Sequence, residues 1–187
     1  MDNYPDNLAP EFDEGGGVAT PFEEWWPSVS ERFPRVPKQV AKDWLHRHWS
    51  HSPFGWLPSP AYYFELVSWP TEGLKRIRTG WSNFAAKPDE ALAHGKYLVE
   101  EHHREWGFDL VQFMIDHGTF PVPPVAMDNN DGHLSFLRGA PRPYPEGYLL
   151  IEGHLRFNIA TYLAAQGRLL SQVPFWLMKR NNSLQEF

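Results

Sequence analysis

The 187 residues suffice for one globular domain with an extension, or for two small units, and a 42% hydrophobic content allows a sizeable core. The absence of cysteine excludes thiol catalysis, disulfides and thiolate metal sites; with no basic-then-apolar leader and no run of about 18 apolar residues, the chain reads as a soluble, cytoplasmic protein without membrane insertion. The formal charge of −6 is unevenly spread: residues 1–24 hold seven acids (Asp2, Asp6, Glu11, Asp13, Glu14, Glu23 and Glu24) and no lysine or arginine, leaving 16 of the 23 acids against 17 bases, a body that is not basic overall but can hold a local basic groove.

Residues 1–24 read as an acidic flexible arm, with Pro5, Pro10 and the Gly15-Gly16-Gly17 triplet among few large apolar side chains. Val40, Ala41, Trp44, Leu45 and Trp49 recur at helical spacing and predict a helix over 37–51. Ser52-Pro53, Gly55, Pro58 and Pro60 punctuate a loop, and an apolar stretch from Tyr62 to Val67 ends at Pro70. A helix is expected over 72–81, with Leu74 and Ile77 inward and Lys75, Arg76 and Arg78 outward. Pro88-Asp89-Glu90 opens another, Pro in the first turn and acids at the positive end of the dipole, running to about Arg104. Gly107 interrupts it, and 108–116 forms the next, closed by Gly118.

The period then changes. Thr119 to Met127 is extended and carries three prolines, which suits an edge strand. A turn at 128–132 and a Pro-rich connection at 138–147 lead to a short buried strand at 148–151, a helix over 156–166 stopped by Gly167, and a last strand at 173–178. The expected class is α+β: a mostly helical region over 25–118, whose later helices (88–118) pack on a small α/β core at 119–187.

Strand, Gly-centred turn with one arginine, and helix start follow one another from Tyr148 to Ala160, bringing backbone N–H groups, a helix N-terminus and a cation to one point that suits a phosphate. Arg156 can grip a phosphate with two hydrogen bonds, or pair with Glu152 or Glu146. Gly153 lets backbone approach a ligand or takes positive φ. His154 can hydrogen-bond a phosphate or move a proton. Glu152 can hold Mg²⁺ or pair with Arg156. Asp131-Gly132-His133-Leu134 echoes Glu152-Gly153-His154-Leu155; if both loops face one side of a small sheet, Asp131 and Glu152 with His133 and His154 surround a metal-bound phosphate, the equipment for phosphodiester hydrolysis. The echo is also one of common turn residues. Lys75-Arg76-x-Arg78 beside Trp81 suits single-stranded nucleic acid by charge and stacking, or a solvated helix face. His46, His48, His51 and His102-His103 read as surface histidines, and Trp25-Trp26, Trp44 and Trp49 as packing.

Phe120-Pro-Val-Pro-Pro-Val, then Ile151-Glu-Gly-His-Leu-Arg156 with Ala160 four residues on, Gly167 and Val173-Pro174 form an ordered set over about a third of the chain. This set resembles the ParB/sulfiredoxin superfamily. Sulfiredoxins place a reactive cysteine at what corresponds to His154, so sulfinic-acid repair is excluded. Partitioning ParB proteins carry Glu-Arg-Arg in the turn and continue into a helix-turn-helix region, whereas His154-Leu155-Arg156 stands here and nine residues follow Met178, which argues against operator recognition. Size and the helical first half look most like the plasmid fertility-inhibition proteins of the Osa type. That resemblance implies ATPase and DNase activity that blocks transfer of plasmid DNA or T-DNA through a type IV secretion system, with ATP and Mg²⁺ as cofactors. The residues implied are Glu152, His154, Arg156, Asp131 and His133 for catalysis, Gly153, His154, Arg156 and Asn158 for the nucleotide, and Glu152 and Asp131 for the metal. The alternatives are an ATP-binding switch that docks on a secretion-system component, and a nucleotide-dependent kinase.

Overall fold

The computed structural model describes residues 6–49, 57, 59–80, 84–85, 87–136 and 144–181. Trp81, His51 and most of the Pro-rich connection lie outside them. The chain divides into two compact units: one runs to Phe64 and resumes at Lys179, the other is Glu65–Met178.

In the first unit, residues 6–20, expected as part of an extended arm, contain a 3-10 turn at Asp6–Leu8 and an antiparallel bridge between Phe12 and Val18. The Gly triplet closes that bridge, because Gly17 N–H donates to the Asp13 carboxylate at 2.7 Å. Helix α1 (Phe22–Val29) and α2 (Lys38–Val40), which continues as a π-helical turn to His46, bury Trp25, Trp44 and Leu45. Trp25 lies edge-on to Trp49 at 5.7 Å and donates its indole N–H to the Leu8 carbonyl at 2.8 Å, so the tryptophans expected to pack do so. His46 donates to the Thr20 carbonyl at 2.8 Å and packs on Phe22 and Trp25, an interior role.

A five-stranded mixed sheet runs in the order β1-β5-β3-β4-β2, from β1 (Tyr62–Pro70), β2 (Ile77–Thr79), β3 (Val125–Asp128), β4 (Tyr148–Glu152) and β5 (Gln172–Arg180). Two strands therefore come from the stretch expected to be helical. The helix expected over 72–81 is a 3-10 segment at Thr71–Arg76 followed by β2. The reason is local: Ile77 and Thr79 are buried with Arg78 half-buried between them, an alternation of period two that a helix cannot satisfy.

The other difference concerns β3, expected at an edge and found in the centre between β4 and β5. Pro121, Pro123 and Pro124 all precede its first paired residue, so no ladder N–H is missing. Val125, Ala126 and Met127 are all buried, as a strand covered on both faces requires.

The remaining helices lie in the second unit. α3 (Pro88–Tyr97) continues through a π-helical turn at Leu98–His102 into α4 (His103–Trp106) and stops at Gly107. α5 (Asp109–His117) and α6 (His154–Ala165) follow. Val111, Met114, Ile159, Ala160 and Leu163 share one core with Ala126, Leu150, Phe175 and Leu177 of the sheet. α3 crosses α6 at Gly95, where a Cβ would fall far inside van der Waals contact with the Asn158 carbonyl oxygen and 2.9 Å from Tyr162 Cβ.

Candidate functional site

The strand–turn–helix order expected from Tyr148 to Ala160 is present, with α6 opening two residues earlier than expected, at His154. Gly153 holds φ at +94° and its Cα faces Pro124, whose Cβ would lie 2.8 Å from an added Cβ, so the turn needs glycine on both counts. α6 begins without a side-chain cap and without an acid in its first turn, which leaves its first N–H groups and the positive end of its dipole uncompensated by the helix itself.

Arg156 does not reach into open space. Its guanidinium donates to the Glu152 carboxylate and, at 2.9 Å, to the Val122 carbonyl, and the side chains of Arg156 and Glu152 are only 12% and 13% exposed. Of the two roles open to it, pairing with Glu152 is the one present. Asn158, expected beside a nucleotide, is buried under α3 and donates its amide to Nδ1 of His94 at 2.9 Å. His154 sits beside Gly80, just past the end of β2, where Nε2 would be 3.5 Å from a Cβ on that glycine. Burial pushes its pKa down from 6.5 to about 4, so the ring is neutral at pH 7 and carries one N–H donor and one acceptor rather than a charge.

The two acid–Gly–His loops do not converge. β3 and β4 are antiparallel, with Val125 opposite Glu152 and Asp128 opposite Tyr148. Glu152-Gly153-His154 therefore lies at one end of the pair and Asp131-Gly132-His133 at the other, roughly 13 Å apart along the strands at about 3.3 Å per residue. The second loop is occupied locally: His133 Nδ1 donates to Asp131 at 2.5 Å, and Asn129 N–H donates to the Gly147 carbonyl at 2.9 Å. Asp131 and Glu152 thus do not fit as joint ligands of one Mg²⁺, and no group of three His, Asp or Glu side chains among the described residues is placed to hold a metal ion.

A different concavity carries the charge. A cleft of about 170 Å³ is bounded by β2 and the 3-10 segment before it, by the start of α3 and by one face of α6. Among the described residues Lys75, Arg76, Arg78 and Lys87 line it and no acid does, and Phe157 and Thr161 of α6 form an apolar and hydroxyl wall. Arg76 lies over the Tyr148 ring, 5.5 Å from its centroid. Arg78 donates to the Phe84 carbonyl at 3.4 Å, and Lys87 pairs with Glu90 at 2.6 Å, outside the lining. β2 and β4 are parallel, with Thr79 opposite Leu150, so the cleft runs along β2 from Lys75 and Arg76 at its amino end to Thr79, and His154 and the uncapped start of α6 lie just beyond its carboxyl end.

No protein-family model, no curated protein and no solved structure significantly matches the chain. Sequence reasoning singled out Lys75-Arg76-x-Arg78 but set it on a helix face. Lys87, Phe157 and Thr161 escaped notice. The readable signal was the Ile-Arg-Thr alternation at 77–79, which puts successive side chains on opposite faces of a strand.

Proposed function

We propose that this chain binds a nucleoside triphosphate, with ATP the nucleotide implied by the resemblance to ParB/sulfiredoxin proteins, and that it acts as a nucleotide-controlled inhibitor of DNA transfer of the fertility-inhibition kind. One observation carries the reading: four cationic side chains from three segments line a single cleft with no acid among its described residues. Lys75, Arg76, Arg78 and Lys87 would hold the phosphates, and the neutral His154 ring and the N–H groups opening α6 stand next in line beyond Thr79.

Binding is favoured over phosphodiester hydrolysis because Glu152 is engaged by Arg156 and the second acid–Gly–His loop lies at the far end of β4. Inhibition would then come from docking on a secretion-system component in the nucleotide-bound state. Calorimetric titration with ATP and Mg²⁺, run beside a nicking assay on supercoiled plasmid DNA, tests this. The wild type is expected to bind ATP, and Arg78→Ala to bind it about ten- to a hundredfold more weakly, the range for one hydrogen bond to a charged group. Absence of ATP binding, or equal affinity in Arg78→Ala, removes the reading. Nicking that disappears in Glu152→Ala would instead establish the nuclease.

A further inference from the structure

We infer that Tyr148, which does not line the cleft, is a positioning residue that fixes Arg76 in a phosphate-binding posture; the inference rests on the reading of the cleft as a phosphate site. Arg76 precedes β2, and the pairing of Ile77 with Tyr148 brings the guanidinium over the phenol ring, 5.5 Å from its centroid. That ring is itself held: Trp69 meets it edge-on at 4.6 Å and 89°, and the buried Trp69 packs in turn on Phe175 at 5.7 Å. A chain of contacts therefore runs from the core through Tyr148 to a cation on the wall of the cleft.

The arrangement is chemically suited to a ligand. A cation–π contact uses the face of the guanidinium, whereas phosphate recognition uses its N–H edge, so the same arginine can satisfy both at once. An arginine on the protein surface otherwise samples many rotamers and must be ordered when the ligand arrives. Ordering it beforehand lowers that cost and tightens binding without any direct contact between Tyr148 and the ligand.

The test combines a measurement on the free protein with a titration. Relaxation of the Arg76 Nε–Hε group by NMR is recorded for the wild type, Tyr148→Phe and Tyr148→Leu, and each is titrated with inorganic triphosphate and with ATP. The wild type and Tyr148→Phe are expected to hold Arg76 equally and to bind alike. Tyr148→Leu should free the guanidinium and weaken triphosphate binding roughly two- to fivefold, the range of a partly exposed cation–π contact. In an Arg76→Ala background the same Tyr148→Leu change should have no effect. Tyr148→Met serves where Tyr148→Leu does not fold. Arg76 equally mobile with and without the ring overturns the inference, as does an equal loss of affinity in both backgrounds. A wild type that binds neither triphosphate nor ATP overturns the cleft reading and this inference together, whereas binding that is indifferent to Tyr148 overturns the inference alone.

Discussion

Arg156 shows how surroundings decide what an arginine does. Arg156 joins the chain before β3 to the first turn of α6, through the Val122 carbonyl on one side and Glu152 on the other. Arg156→Ala would leave a mostly buried carboxylate without its cation, a change expected to cost about 3 kcal/mol. Urea denaturation should show the lowered midpoint, while triphosphate affinity stays within twofold; an unchanged midpoint would mean the pair is solvated. The turn itself was legible in the sequence, and so were a phosphate, Glu152 and Glu146 as candidate partners of Arg156. The choice between them was not, because it depends on a carbonyl 34 residues away. His154 makes a second prediction at this scale. Its folded pKa lies at about 4 against 6.5 unfolded, so below pH 6.5 the unfolded chain binds the proton first. Stability from this group is complete above pH 6.5, falls by about 1.4 kcal/mol per pH unit toward pH 4, and levels off below. Comparing urea midpoints of the wild type and His154→Gln from pH 7 to 4 checks it: parallel curves would show that the ring is not buried in the folded state.

At the scale of elements, local pattern was a good guide where periodicity and punctuation agreed, as for α3, α5, α6, β4 and β5. It failed where composition was read without position. The prolines of residues 121–124 suggested an edge, yet they stop one residue short of β3, which lies in the centre of the sheet. Gly95 is the opposite case, a residue with no evident role in the sequence on which two helices depend. Intrinsic propensity favours alanine over glycine in a helix interior by about 1 kcal/mol. Here the sign reverses, since the added methyl would collide with the Asn158 carbonyl and Tyr162 Cβ, and backbone atoms inside a packed pair of helices cannot step aside. Gly95→Ala is expected to destabilise the fold by about 3 kcal/mol or more, through separation of α3 from α6. Thermal denaturation decides it: a raised transition would show that α3 lies farther from α6 than the structure has it.

For the molecule as a whole, net charge and local charge make opposite predictions about an anionic ligand. The chain carries −6, with seven acids and no lysine or arginine in residues 1–24, whereas the cleft in the unit formed by Glu65–Met178 presents four cations. If the overall charge governed association, salt would screen repulsion and strengthen ATP binding. If the cleft governs it, salt weakens binding, since the phosphates sit against Lys75, Arg76, Arg78 and Lys87 at distances well within a Debye length of about 8 Å at physiological ionic strength. The distribution of charge along the sequence allows a local groove on a near-neutral body; its place was not legible, because Lys87 and the Lys75–Arg78 run, separated along the chain, come to one cleft only in the folded structure. Calorimetric titration of ATP at 50 mM and 500 mM NaCl should therefore give a clearly weaker affinity at the higher salt, and the difference should shrink in Arg78→Ala as one of the screened charges is removed. An affinity that rises with salt would place the nucleotide elsewhere on the protein.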